Sequence, residues 1–338
     1  MSKSRIPDLD LVKGFGILMV VLGHMHVNEG TRTHYMHAFL MPLFFVVSGL
    51  LYRQGDIKKA TVKRAKALLL PYVSFGAAYW LIYNGYMIIR HHDLSQMLPT
   101  GMSFLFFPTD GLAIESALWF LPVMFIASAG YNLLDYKIKN KYALSVTVII
   151  LGLFGYAISG LIEYRLPWGI NVAFVSLLFF HTGRLMKDHG FYDAVISFRK
   201  RNVILFYLCL ILLIALNIFL ILTNSRTNMR AGQWGIWPLA YFNAALASAI
   251  YLIIARLVVG VIKADSLFMR FIERISTNAM IFICISHPAI RLSRFVVNRV
   301  TGIFALRVIF IYILSVLILF ALSELFCRTR LKVFIGRR

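Results

Sequence analysis

The chain has 338 residues, 60% of them hydrophobic and only 14% charged, with a mean hydropathy of +0.77. Soluble domains carry about 25% charged residues, so a single soluble core is excluded and a bilayer is the natural solvent for this composition. The net charge of +21 comes from basic residues placed between apolar stretches, which points to membrane orientation and away from nucleic-acid binding.

A membrane-spanning helix needs about 20 mostly apolar residues. The apolar stretches predict ten spans, at 10–27, 37–53, 68–89, 113–134, 142–162, 168–186, 202–223, 236–260, 276–297 and 304–327. The expected fold is an all-α integral membrane protein, one transmembrane domain over residues 1–338, with no internal repeat. Asp8, Asp10 and Lys13 crowd the start of the first stretch and no small-residue cleavage site follows, so it reads as a retained span and not a signal peptide. Alternating the connections puts most of the 35 basic residues on one side, which predicts both termini in the cytoplasm. One outward stretch breaks the rule, with Arg291, Arg294, Arg299 and Arg307. Either an anionic substrate or lipid headgroup binds there, or the span count near the C-terminus is wrong. Trp80, Trp119, Trp168, Trp234 and Trp237 fall near span ends and mostly suggest an interfacial belt. Cys209, Cys284 and Cys327 lie in apolar runs without metal spacing and read as small buried hydrophobes.

The first span carries Asp10, Lys13 and His24. Ionisable groups inside a span are expensive and usually face the bundle interior. Lys13 and His24 are eleven residues apart, which places them on one helix face, roughly 16 Å apart along the axis. Asp10 can pair with Lys13 one turn away, and Gly14, Gly16 and Gly23 permit close approach. A cation at the mouth suits a phosphorylated carrier. An imidazole further along suits proton abstraction from a hydroxyl or a transient acyl-imidazole. The alternative is a snorkelling lysine and a packed histidine. In the second span, Pro42 and Ser48-Gly49 are able to bend or loosen the helix beside a cavity. His24, His26, His34 and His37 do not make a metal site: His24 and His26 point 200° apart on a helix, and no carboxylate or cysteine joins them.

Asp10, Lys13 and His24, followed by Met41-Pro-Leu-Phe-Phe and Ser48-Gly49, resemble the opening of acyltransferase family 3, integral membrane enzymes of about ten helices. The hallmark is a basic residue, ten others, then a histidine. Leu70-Pro71-Tyr72, Leu118-Trp119-Phe120-Leu121, Leu166-Pro-Trp168 and Ser286-His287-Pro288 extend the likeness along most of the chain. The opening is most similar to the fucose 4-O-acetylase-like branch. The resemblance implies cytoplasmic acetyl-CoA as donor co-substrate, with no permanently bound cofactor. It implies a surface glycan or lipid-linked saccharide as acceptor, and a bacterial inner membrane and its lipids as surroundings. By position His24 takes the catalytic role and Lys13 the basic role, with Arg64 and Lys66 candidates for the CoA phosphates and Arg184 a further one. Lys13 stands where many members carry Arg, and lysine is a point charge without arginine's fork; Ala67 stands where members often carry Arg. Glu115, one turn before Trp119, is placed to orient or activate an acceptor, against the alternative of an exposed loop-end carboxylate. His287 reads as structural, near the outer end of its span. The competing reading is a transporter or flippase for a polar or anionic solute, with the same ionisable groups lining a pathway. A same-fold enzyme moving another acyl group, such as succinyl, also fits.

Overall fold

Among the described residues, ten long helices coincide with the ten apolar stretches. The computed structural model describes residues 6–25, 31–106, 117–162, 166–225 and 227–337, without the side chains of 31–34. In chain order the long helices are α1 (Pro7–Gly23), α2 (Thr31–Leu50), α3 (Ile57–His91), α5 (Phe120–Lys137), α6 (Lys141–Leu161) and α7 (Ile170–Asp188), then α9 (Val203–Thr223), α10 (Trp237–Val259), α12 (Ala279–Val297) and α13 (Phe304–Arg328). Three short helices fill connections: α4 (Met97–Leu105), α8 (Phe191–Arg201) and α11 (Leu267–Thr277). Among the described residues, eight helices are long and apolar enough to cross a membrane; α1, at 17 residues, and the described part of α2, Tyr35–Leu50, are shorter.

Burial runs opposite to that of a soluble protein. The most apolar span, α9, has 22% of its hydrophobic window buried, whereas the less apolar α5 has 67%. Water would force α9 inward; a chain that leaves Ile204, Leu212 and Leu222 exposed has lipid around it. The protein is an all-α multi-pass membrane protein.

Two connections differ from expectation. The basic segment 54–67 is not a loop: α3 begins at Ile57, with the Asp56 carboxylate accepting the Lys59 amide hydrogen at 2.7 Å as its N-cap. Lysine, alanine and arginine are strong helix formers, so the helix continues through its basic first turns. The segment before the ninth span also folds, as α11, capped by Ser266 and separated from α12 by Asn278.

Gly49 does not loosen α2 but permits its closest contact. A Cβ at Gly49 would lie 1.9 Å from the Phe180 carbonyl oxygen, and one at Gly183 1.9 Å from that of Val46. The two glycines let α2 and α7 cross with backbones touching, the small-residue contact that membrane helices use where apolar burial gives no drive. The Ser48 hydroxyl folds back onto its own helix, donating to the Phe44 carbonyl at 2.7 Å. Gly14 does the same for α1 against α11, where a Cβ would meet Ile272 at 2.6 Å. Thus α1 is central, packed on α2, α10, α11, α12 and α13.

The tryptophans are less an interfacial belt than expected. Trp119 and Trp234 are buried. The Trp80 indole donates to the Met97 carbonyl at 3.1 Å and Trp168 to that of Leu105 at 2.7 Å, tying α4 to the bundle.

Candidate active site

His24 stands where α1 ends. Gly23 is the last helical residue, and the His24 amide still donates to Val20 at 3.0 Å. Its ring is held from α12: Nδ1 and the fully buried Ser286 hydroxyl are 3.0 Å apart. The His287 ring stacks on the His24 ring with centroids 4.3 Å apart and planes inclined by 30°. His287 is therefore not at an outer span end. It lies mid-way along α12, and the structure brings it onto the predicted catalytic residue.

The local sequence of α12 explains this. Pro288 has no amide hydrogen, so the carbonyl four residues earlier, that of Cys284, lacks its helical donor. In a membrane interior such a carbonyl needs another partner, and the buried Tyr79 hydroxyl of α3 supplies it at 2.7 Å. The proline falls directly after the Ser286-His287 pair. Further along α12, the Arg294 guanidinium donates to the carbonyl of Met25, just past the C-terminal end of α1, where a cation also suits the helix dipole. Arg307 likewise donates to the carbonyls of Thr301 and Gly302, both at 3.3 Å, and Arg299 lies over the Phe295 ring at 3.9 Å. The outward basic stretch that broke the charge rule thus has internal work: three of its four arginines hold helix ends or pack on an aromatic face.

At the other end of α1, Lys13 Nζ lies 3.1 Å from Asp10 Oδ1, the expected pairing one turn apart. The same carboxylate oxygen accepts from the Ser276 hydroxyl of α11 at 2.7 Å. Asp8, 2% exposed, pairs with Arg256 of α10 at 3.2 Å. Lys13 keeps 30% of its side chain exposed, so the pair is not sealed in the packed core.

Arg64 and Arg184 converge elsewhere. Their guanidinium carbons lie 5.9 and 5.3 Å from the ring centre of Tyr52, just past α2. The Tyr52 hydroxyl faces Asp135 at 2.8 Å and Asn132 at 3.0 Å. Burial, then the hydrogen bond to Asp135, pushes this phenol well above its ordinary pKa, so it remains a donor. Arg184 also pairs with Asp188 at 2.8 Å, and Lys187 donates to the Tyr52 carbonyl. Arg64 Nη1 is buried without a hydrogen-bond partner. Lys66 is exposed and does not join this cluster. Among the described residues no hydrogen bond or ion pair links the cluster to Lys13. Glu115 and His26 lie outside the described residues.

Sequence reasoning missed Ser286 as a partner of His24 and underrated His287. The signal available was the Ser-His-Pro triplet itself: two groups able to hydrogen-bond, placed just before a proline that opens the helix.

The fold and this half-buried imidazole site define a multi-pass membrane protein with a polar centre at the end of its first helix. A family model described as an acyltransferase domain matches residues 6–324, and the chain belongs to that family, acyltransferase family 3. It is a membrane acyltransferase, which sets aside the transporter alternative. No curated protein and no solved structure gives a significant match.

Proposed function

We propose that the protein moves acetyl from acetyl-CoA on the cytoplasmic side of a bacterial inner membrane to a hydroxyl of a cell-surface glycan or its lipid-linked precursor. The observation that supports it best is the His24–Ser286 hydrogen bond at 3.0 Å beneath the stacked His287 ring. A histidine held at Nδ1 has its orientation set, and the tautomer with the proton on Nδ1 leaves Nε2 basic. His24 Nε2 then takes the proton of the acceptor hydroxyl as that oxygen attacks the thioester carbonyl. The tetrahedral oxyanion collapses, the C–S bond breaks, and the protonated imidazole returns the proton to the departing thiolate. Nε2 is also the atom that would carry acetyl in a relay through acyl-histidine.

Donor phosphates need cations on the cytoplasmic side. Lys13 at the mouth of α1 and Arg64 beside Tyr52 are the groups we assign to them, with Lys66 a peripheral contributor because it is exposed. Opposite faces for donor and acceptor suit an α1 whose cation lies in its N-terminal half and whose imidazole stands at its C-terminal end. The acetyl group and the glycan class rest on the resemblance of the opening helices to the fucose 4-O-acetylase-like branch, and Glu115 is proposed to orient the acceptor hydroxyl.

The test is transfer of radiolabelled acetyl from acetyl-CoA into the glycan fraction of membranes, with wild type and His24→Ala at equal folded amounts. Label with wild type and its loss in the variant support the reading. Equal label in both would remove His24 from its role, and label from succinyl-CoA alone would replace the donor.

A further inference from the structure

A groove of about 450 Å³ opens where α8 meets the first turn of α9 and the last turn of α10. Its lining divides by chemistry. Arg199, Lys200 and Arg256 supply three cations, and Val195, Ile196, Val203, Leu257 and Val259 supply an apolar wall, with no carboxylate among the lining residues. Arg256 is neutralised by its pair with Asp8. Arg199 and Lys200 have no ion-pair partner among the described residues, and both are exposed. Beside the groove, α9 presents Val203 and Ile204, 52% and 75% exposed, on a helix that faces lipid along its length. α8 ends in three consecutive basic residues, Arg199, Lys200 and Arg201, and carries Val195 and Ile196 on the groove side, the arrangement of a helix lying at a membrane surface.

We propose that this groove binds one anionic phospholipid from the leaflet at the N-terminal end of α1. The phosphate sits between Arg199 and Lys200, and the acyl chains run along Val203 and the exposed face of α9. The chemistry selects the occupant: cations without carboxylates at the headgroup level attract an anionic headgroup, and a continuous apolar wall beneath them is wasted on a water-borne anion. The wall has a consequence for the site. Arg256 lines the groove and also holds the first turn of α1 through Asp8, so a lipid seated there stabilises the helix that carries Lys13 and His24.

Native mass spectrometry of the full-length protein, exchanged into an equimolar mixture of phosphatidylglycerol and phosphatidylcholine, reads the site directly. Wild type should retain phosphatidylglycerol preferentially. The double variant Arg199→Gln/Lys200→Gln should lose about 20-fold of that preference, roughly the worth of two headgroup cations. The variant Lys139→Gln/Lys141→Gln, which removes two charges from another connection, should keep it. Three results would each overturn the proposal: no preference in wild type, an equal loss in both variants, or displacement of the lipid by millimolar inorganic phosphate, which would make the groove a site for free anions.

Discussion

Two of the histidines in this bundle, His181 and His24, are held in different ways. His181 of α7 is 7% exposed, and both ring nitrogens meet hydroxyls: Nδ1 that of Tyr131 at 2.7 Å and Nε2 that of Ser145 at 2.9 Å. Its ring ties α5, α6 and α7 together in the middle of regular helices. His24 stands at the end of its helix, half-buried, with Nδ1 on Ser286 and its face against another imidazole, beside the proline of α12. Burial alone therefore does not mark a working histidine. A ring clamped between two hydroxyls of neighbouring helices is a structural tie, whereas a ring at the end of its helix, oriented by a serine and stacked on a second imidazole, has the geometry of a reacting group.

The sharpest way to break this comparison is to remove each ring in turn. His24→Ala should lower acetyl transfer by about 10²–10⁴-fold, the usual worth of a general base, with a loss of thermal stability in detergent of about 1 kcal/mol for the one buried hydroxyl, that of Ser286, left without its ring partner. His181→Ala should do the reverse. Two hydroxyls would lose their partner at about 1–3 kcal/mol each when buried, so thermal unfolding should show a loss of about 2–4 kcal/mol while transfer per folded molecule persists. If the two variants exchanged these signatures, the roles assigned to the two rings would be inverted.

Smaller effects sharpen the same contrast. Ser286→Ala removes the group that orients His24, and the expected outcome is a loss of about 10–50-fold in kcat with KM for acetyl-CoA little changed, as for a positioning contact. A change confined to KM would place Ser286 with the donor instead. The smallest effect is expected from Lys13→Arg, which keeps the cation and its pairing with Asp10: KM for acetyl-CoA should shift by less than about fivefold, whereas Lys13→Ala should raise it by about tenfold or more. An unchanged KM in Lys13→Ala would move the donor phosphates to the Arg64 and Arg184 cluster.

Much of this was legible in the sequence because the relevant patterns are local. Ten apolar stretches marked ten helices, since each span must satisfy its own backbone within one segment. The spacing from Lys13 to His24 and the pairing of Lys13 with Asp10 follow from helix geometry alone. Where the reading went astray, a residue's role depended on a distant partner. The basic residues between the second and third apolar stretches carry no hydropathy signal, yet they extend α3 back to Ile57. Arg294 looked like a misplaced surface charge because its acceptor, the Met25 carbonyl, is 269 positions away. Gly49 looked like a point of weakness because Gly183, its counterpart, lies on another helix.

The amino-acid sequence by itself determined that this is a helical membrane protein, which helices it has, and that its first helix carries a cation and an imidazole on one face. Only the tertiary structure decided which groups surround that imidazole. Ser286 is 262 residues from His24, and its hydroxyl reaches the ring because α12 packs against α1. Periodicity reports the face a helix turns inward; what that face meets is settled by the packing of the other helices around it.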